Sequence, residues 1–147
     1  LKETTLSHKS KIVPTNRQAR YFNVARKTSF KSDYARCHLG AVIVKGNYIV
    51  SKGFNQTKSH PAQFHYNQDT RYQSSQHSIH AEVDALVKSK DTDLEGAEIY
   101  IYRENAAADL ASSRPCPACQ RAISESGIST IFYTSPEGFH CEAVEQQ

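Results

Sequence analysis

The sequence predicts an α/β protein in three layers, α/β/α, with helices on both faces of a central mixed sheet of four to five strands. Three observations carry this. Strand-like apolar runs alternate with segments of helical period. Leu39 to Lys45, L-G-A-V-I-V-K, is apolar almost throughout, as a strand covered on both faces must be. The two-residue signal Gly46-Asn47 requires an antiparallel hairpin, whereas a strand at 97–102 can reach one at 128–134 only through a parallel crossover.

The elements follow in order. Residues 1–13 are polar and irregular and read as a mobile N-terminal arm; residues 14–147 read as a single domain, the simplest outcome for a chain of 147 residues. Thr15 and Gln18 fit a capping box just after Pro14. A helix is therefore expected from about Asn16 to Phe30, with Ala19, Phe22, Val24 and Ala25 as its apolar face and Ser32-Asp33 at its end. The strand at Leu39–Lys45 turns at Gly46-Asn47 into an antiparallel partner, Tyr48 to Ser51, which Gly53 ends. Residues 54–78 are rich in Gln, Asn, His and Tyr and lack periodicity. An insertion of that length is usually functional or disordered, and a lid or substrate wall is expected there. Ile79, Val83, Leu86 and Val87 recur at helical spacing, so a helix over 79–89 should turn that face to the core. A turn at 91–96 precedes A-E-I-Y-I-Y at 97–102, which alternates as a strand. A polar, Ala- and Ser-rich connection over 103–114 leads to a helix over 116–126, closed by Gly127. Ile128 to Thr134 is a further strand. After the tight turn Ser135-Pro136-Glu137-Gly138, residues 139–144 return antiparallel.

The net charge of +3 hides an asymmetry: residues 1–60 carry 12 Lys/Arg against 2 Asp/Glu, and residues 61–147 carry 6 against 13. The basic half suits the phosphates of a nucleotide or a strand; equally, it suits a solvated face, or halves that meet across a subunit interface. No stretch approaches the ~20 apolar residues of a membrane span, and the N-terminus lacks the apolar core of a signal peptide, so no membrane partner is expected. Four Cys, two of them in one short motif, are not the disulfide framework of a secreted protein. Cys37 and Cys141 read as ordinary thiols, and the protein as cytoplasmic.

Two short stretches carry chemistry: His80-Ala81-Glu82 and Pro115-Cys116-Pro117-Ala118-Cys119. Zinc takes four tetrahedral ligands from Cys, His and carboxylate, and a catalytic site keeps one position open for water. His80, Cys116 and Cys119 supply three ligands, and Glu82 supplies a carboxylate beside them. Cys116 and Cys119 are three residues apart and share one face of a helical turn. The flanking prolines suit a helix start, where the positive end of the helix favours thiolate. His80 and Glu82 would diverge inside a helix, so His80 belongs at or just before the first turn. Two helix N-termini should then meet at one metal. Together the motifs read H-x-E … P-C-x-x-C, the signature of zinc-dependent nucleobase deaminases.

The chain resembles the cytidine deaminase superfamily over roughly residues 17–144, through L-G-A-V-I-V, G-F-N, H-A-E-V-D-A-L and P-C-P-A-C-Q-R-A-I in the family's order. The resemblance implies a cytidine deaminase-like fold, one catalytic zinc on His80, Cys116 and Cys119, and Glu82 as the proton shuttle. It implies substrate contacts from Asn55, the Ala81 backbone and the peptide around Pro115. It also implies a hydrolase acting on a cyclic amidine, in which water replaces the amino group at C4 of cytosine or C6 of adenine and ammonia leaves. Within the superfamily the long His-rich insertion before H-A-E looks most like deoxycytidylate deaminases. The expected substrate is therefore a cytosine nucleotide or nucleoside, of the dCMP to dUMP type, in nucleotide metabolism, and the expected assembly is a homo-oligomer. Two other readings stay open. One is a deaminase of bases in single-stranded DNA or RNA, for which Phe54, Phe64, Tyr66 or Tyr72 could stack bases. The other is a zinc-binding module without catalysis. His60, His65 and His77 offer a second zinc site, against which solvated loop histidines are the commoner outcome.

Overall fold

Alternation along three neighbouring strands decides how the layers form. In the computed structural model, which describes residues 6–35, 37–68 and 78–145, the elements run β1 (Leu6–Ile12), α1 (Asn16–Ser29), β2 (His38–Lys45), β3 (Tyr48–Phe54), α2 (Pro61–Asn67), α3 (Ala81–Lys88), β4 (Glu98–Glu104), α4 (Pro117–Ser126), β5 (Thr130–Ser135) and β6 (Gly138–Val144). Ala41, Ile43, Ile99, Ile101, Ile131 and Tyr133 form one buried layer with Ala81 and Ala85 of α3 and Ile123 of α4. The intervening residues Val42, Val44, Tyr100, Tyr102 and Phe132 form another with Tyr21, Phe22 and Ala25 of α1. Successive side chains of a strand point to opposite faces, so these strands read as unbroken apolar runs because both faces are covered. Tyr100 stacks on Phe132 at 4.4 Å between ring centres, and Phe22 meets Tyr100 edge-on. Full burial of such side chains contributes roughly 1.5–3 kcal/mol each.

The sheet order is β1-β6-β5-β4-β2-β3. β4 and β5 are parallel, joined through α4, and the other neighbours are antiparallel. The expected crossover and hairpins are present. The sheet has six strands, however, not four to five. The sixth is β1, so residues 6–12 are not the mobile arm that their polarity suggests. An edge strand needs only one ladder of backbone bonds, which polar residues make as well as apolar ones; β1 pairs with β6 from Leu6↔Val144 to Ile12↔Phe139.

The start of α1 is as read: Thr15 caps it in a complete capping box with Gln18. Its apolar face is shifted, with Ala19 exposed and Tyr21 buried in its place. β3 runs on to Phe54, past Gly53, where α3 crosses the strand closely. A Cβ there would collide with the Ala81 carbonyl and the Ala85 amide. The insertion is not wholly irregular: α2 opens with Pro61, and His60 caps it by accepting from the Ala62 N–H at 3.0 Å. Its base is clamped by Gln56 N–H to Ile79 O and Ile79 N–H to Lys58 O, both 3.1 Å. His77 and Tyr72 lie outside the described residues.

The charge asymmetry is partly met within the chain. Arg17 pairs with Glu98 at 2.8 Å and Arg26 with Glu104 at 3.2 Å, both joining the basic first half to the acidic second. Among the described residues, no helix is long and apolar enough to cross a membrane.

Candidate metal centre

His80 is the N-cap of α3 and Cys116 the N-cap of α4, and neither side chain caps its own helix. Both instead turn toward one point. His80 Nδ1 lies 3.3 Å from Cys119 Sγ and 3.6 Å from Cys116 Sγ. Among the described residues, these three form the one His/Cys/Asp/Glu group close enough to share an ion, with ligand atoms within 4.8 Å of one another. Tetrahedral bonds of zinc to nitrogen and sulfur set ligand atoms about 3.5 Å apart, so the observed spacing fits.

The same proximity couples the protons of these groups. Cys116 is pushed down to about 4, chiefly by the Cys119 hydrogen bond and then, against burial, by His80. Cys119 is pushed well up, by its hydrogen bond to Cys116, burial and the Glu82 charge. Burial raises Glu82, with His80 opposing. Burial lowers His80, but the Cys116 hydrogen bond and the Glu82 charge raise it on balance. Glu82, His80 and Cys119 thus all hold protons more tightly than usual. Burial is the first cause for Glu82, and the hydrogen bond between the two sulfurs is the first cause for Cys116 and Cys119; a cation held here would favour the deprotonated forms of the thiols.

Glu82 lies in the first turn of α3, 4% exposed, in hydrogen-bonding reach of Cys119. It borders a cavity of about 280 Å³ whose walls also include His80, Ala81, Cys116 and Asn55. The carboxylate, His80 and Cys116 therefore open on one space, with Cys119 buried outside its lining. Asn55 spends its side chain on the wall itself, accepting from Leu39 N–H and donating to Cys37 O, both at 2.9 Å. Pro115 is buried behind the wall, and its carbonyl accepts from Gln120 Nε2 at 2.9 Å. Asp84, two residues past Glu82, accepts from Phe54 N–H at 3.1 Å and pairs with Lys88 at 2.8 Å, tying α3 to the end of β3.

Two kinds of residue escaped the sequence reading. Gln63 of α2 is wholly buried and its Oε1 accepts from the His80 N–H at 3.0 Å. Arg121 of α4 holds α2 in place by donating to Gln68 O at 2.9 Å. Pro61 was the available signal, since proline one residue past a capping side chain marks a helix start. Arg103 and Arg114, at the two ends of the β4–α4 connection, also line the cavity. That connection is pinned by Ser113, whose Oγ donates to Ile101 O at 2.9 Å and whose N–H donates to Thr134 O at 2.9 Å. Residues 105–109, ahead of this fastening, are exposed.

Of the aromatics proposed for base stacking, two of the three among the described residues sit under a cation. Lys88 sits over Phe54 at 4.9 Å and Arg121 over Tyr66 at 5.9 Å. Phe64 is 49% exposed.

Comparison with known proteins agrees with this geometry. The family model described as the cytidine and deoxycytidylate deaminase zinc-binding region matches residues 15–135. An uncharacterized deaminase in the luxG 3' region of Aliivibrio fischeri is 33% identical over 113 residues, covering 77% of this chain and 69% of that one. The deoxycytidylate deaminase of Mycobacterium phage D29 is 28% identical over 129 residues, covering 77% of this chain and 90% of that one. The crystal structure of the dCMP deaminase from cyanophage S-TIM5 in complex with dCMP and dUMP superposes with a TM-score of 0.57 at 25% identity, covering 82% of each chain.

Proposed function

The chain belongs to the cytidine and deoxycytidylate deaminase family defined by that zinc-binding region, a hydrolytic deaminase, and from this premise we propose that its substrate is a cytosine mononucleotide, converted as dCMP to dUMP. The observation that carries the reading is the cavity of about 280 Å³ lined by a buried glutamate, two of the three candidate metal ligands, His80 and Cys116, and two arginines. Its volume lies near the lower end of small-ligand sites, roughly 300–1,000 Å³, which suits one nucleotide better than a strand. Similarity to two proteins named as dCMP deaminases supports the same choice.

His80, Cys116 and Cys119 would hold zinc, which supplies Lewis acidity and brings the pKa of water down to roughly 7. The remaining work falls to the chain. Glu82, at the first turn of α3, accepts a proton from the attacking water, hands it to the ring nitrogen and serves the departing amine in the same way. Water adds at the amine-bearing carbon, the C–N bond breaks, and the products are the keto base and ammonia. Burial raises the affinity of Glu82 for protons, which suits a group that must both take and return one near neutral pH. Asn55 stiffens the wall beside the base, and Ala81 presents its backbone there. The same reading carries the expectation of a homo-oligomer in the cytoplasm; sedimentation of the purified chain tests the first part.

The test is ammonia release against free bases, nucleosides, nucleotides and short single strands, with Glu82→Ala alongside. We expect dCMP to be the best substrate. Glu82→Ala should keep zinc and lower turnover by about 10²–10⁴-fold or more. Deamination that survives Glu82→Ala would sink the assignment of the shuttle. Preference for a strand would favour the nucleic-acid reading, and zinc binding without ammonia release from any substrate would favour the idle module.

A further inference from the structure

The two arginines that line the cavity are not equivalent. Arg114 is committed: its Nε and Nη2 donate to the two carboxylate oxygens of Glu142 at 3.1 and 3.4 Å. The Glu142 side chain is fully buried and also accepts from Tyr133 OH at 2.6 Å. Arg114 thus neutralises a buried carboxylate, and the pairing fixes the chain immediately before Pro115-Cys116.

Arg103 is different. It follows Ile99 and Ile101 in the alternation of β4, so it leaves the sheet on the face that carries α3 and α4. Its backbone is held on both sides, with its N–H donating to Thr134 Oγ1 at 3.3 Å and its carbonyl accepting from Ala111 N–H at 3.0 Å. Its guanidinium, however, makes one hydrogen bond among the described residues, Nη1 to Ser112 O at 3.3 Å, and its Nε is buried with no acceptor. A guanidinium carries five donors in a planar fork, and a buried donor left unmet is unfavourable. An arginine placed where the strand pattern would put an apolar residue, with donors unspent beside the cavity, is a local conflict of the kind that marks function.

We propose that Arg103 is the specificity-determining residue of this site: its guanidinium takes the phosphate monoester of a mononucleotide whose base lies against Ala81 and Glu82. The assignment rests on the nucleotide reading above. The fork of Arg103 matches phosphate oxygens, and Ser112 holds one end of it in place. Arg103 thereby selects nucleotide over nucleoside, while Arg114 remains structural.

The experiment uses the zinc-loaded full chain with Arg103→Gln and Arg103→Lys. It measures kcat and KM for dCMP and deoxycytidine, and binding of dUMP and deoxyuridine by calorimetry, with zinc content and thermal unfolding checked throughout. Arg103→Gln should raise KM for dCMP about 10- to 100-fold, the effect of losing charge-assisted hydrogen bonds. The preference for dCMP over deoxycytidine should fall by a similar factor, and Arg103→Lys should recover part of it. Affinity for dUMP should fall while that for deoxyuridine does not. Equal losses on dCMP and deoxycytidine, unchanged constants for dCMP, or a loss confined to short cytosine-containing single strands would each overturn the proposal. A wild type that turns over no cytosine monomer would remove the nucleotide reading instead. The Arg103 assignment would then be decided by binding alone: it holds if Arg103→Gln weakens dUMP selectively, and falls if both ligands weaken equally or neither binds.

Discussion

At the start of α1, Thr15 accepts from the Gln18 N–H at 3.1 Å and Gln18 accepts in return from the Thr15 N–H at 3.0 Å. At the starts of α3 and α4, His80 and Cys116 make no such bond, although they occupy the same N-cap position. An N-cap side chain contributes about 1 kcal/mol, so α3 and α4 each forgo a stabilisation that α1 keeps. They forgo it because both caps face the same point, where their side chains lie 3.6 Å apart. A helix start can serve its own backbone or a shared ligand. In this chain α1, on the far face of the sheet, does the first, and α3 and α4, on the face with the cavity, do the second. The positive ends of α3 and α4 then favour the anionic groups gathered there, Glu82 and the thiolate of Cys116.

This contrast can be broken most severely at His80. His80→Ser removes a ligand and restores a cap. Zinc binding and turnover should be lost, and a chelator should no longer lower the unfolding temperature, because metal binding and folding are coupled. The metal-free variant should nevertheless unfold at or above the temperature of metal-free wild type. If it unfolds well below, His80 holds α3 by its packing and the contrast fails. The next effect is at Gln63, the brace on His80. Gln63→Leu leaves the His80 N–H without its acceptor and should weaken zinc about 10- to 100-fold, as lost outer partners of ligands do; competition with a chromogenic chelator measures it. The smallest is at Thr15. Thr15→Ala should lower stability by about 1 kcal/mol in denaturant unfolding, with zinc affinity and kcat unchanged. A change in either would mean that the two faces communicate.

What the sequence made legible divides along physical lines. β2, β4 and β5 are covered on both faces, so their burial is written as apolar runs. The candidate metal ligands are legible because their chemistry restricts residue type and their geometry restricts spacing. β1 was not legible, since an edge strand held by backbone bonds leaves no apolar signature. α2 was hidden because His60 serves as its cap, a role His shares with more usual residues, and its buried face is polar, through Gln63 and Asn67. The pairing of Arg114 with Glu142 joins positions 28 apart, and nothing local to either residue announces it. Arg103 marked the end of an apolar alternation and read as the beginning of a loop, when it is the last inward residue of the strand. The aromatics raised for strand binding looked available in sequence because the cations that cover Phe54 and Tyr66 come from α3 and α4.

The connection from β4 to α4 is fastened by Ser113 to two strands at once, and residues 105–109 project outward ahead of that fastening. Changes of length in this span would be absorbed before they reached Cys116. They would still reshape the wall that ends in Ser112 and Arg103. Retargeting can therefore proceed by loop exchange while the hydrolytic apparatus is inherited intact, which makes this span the natural place to diversify a library in search of new substrates.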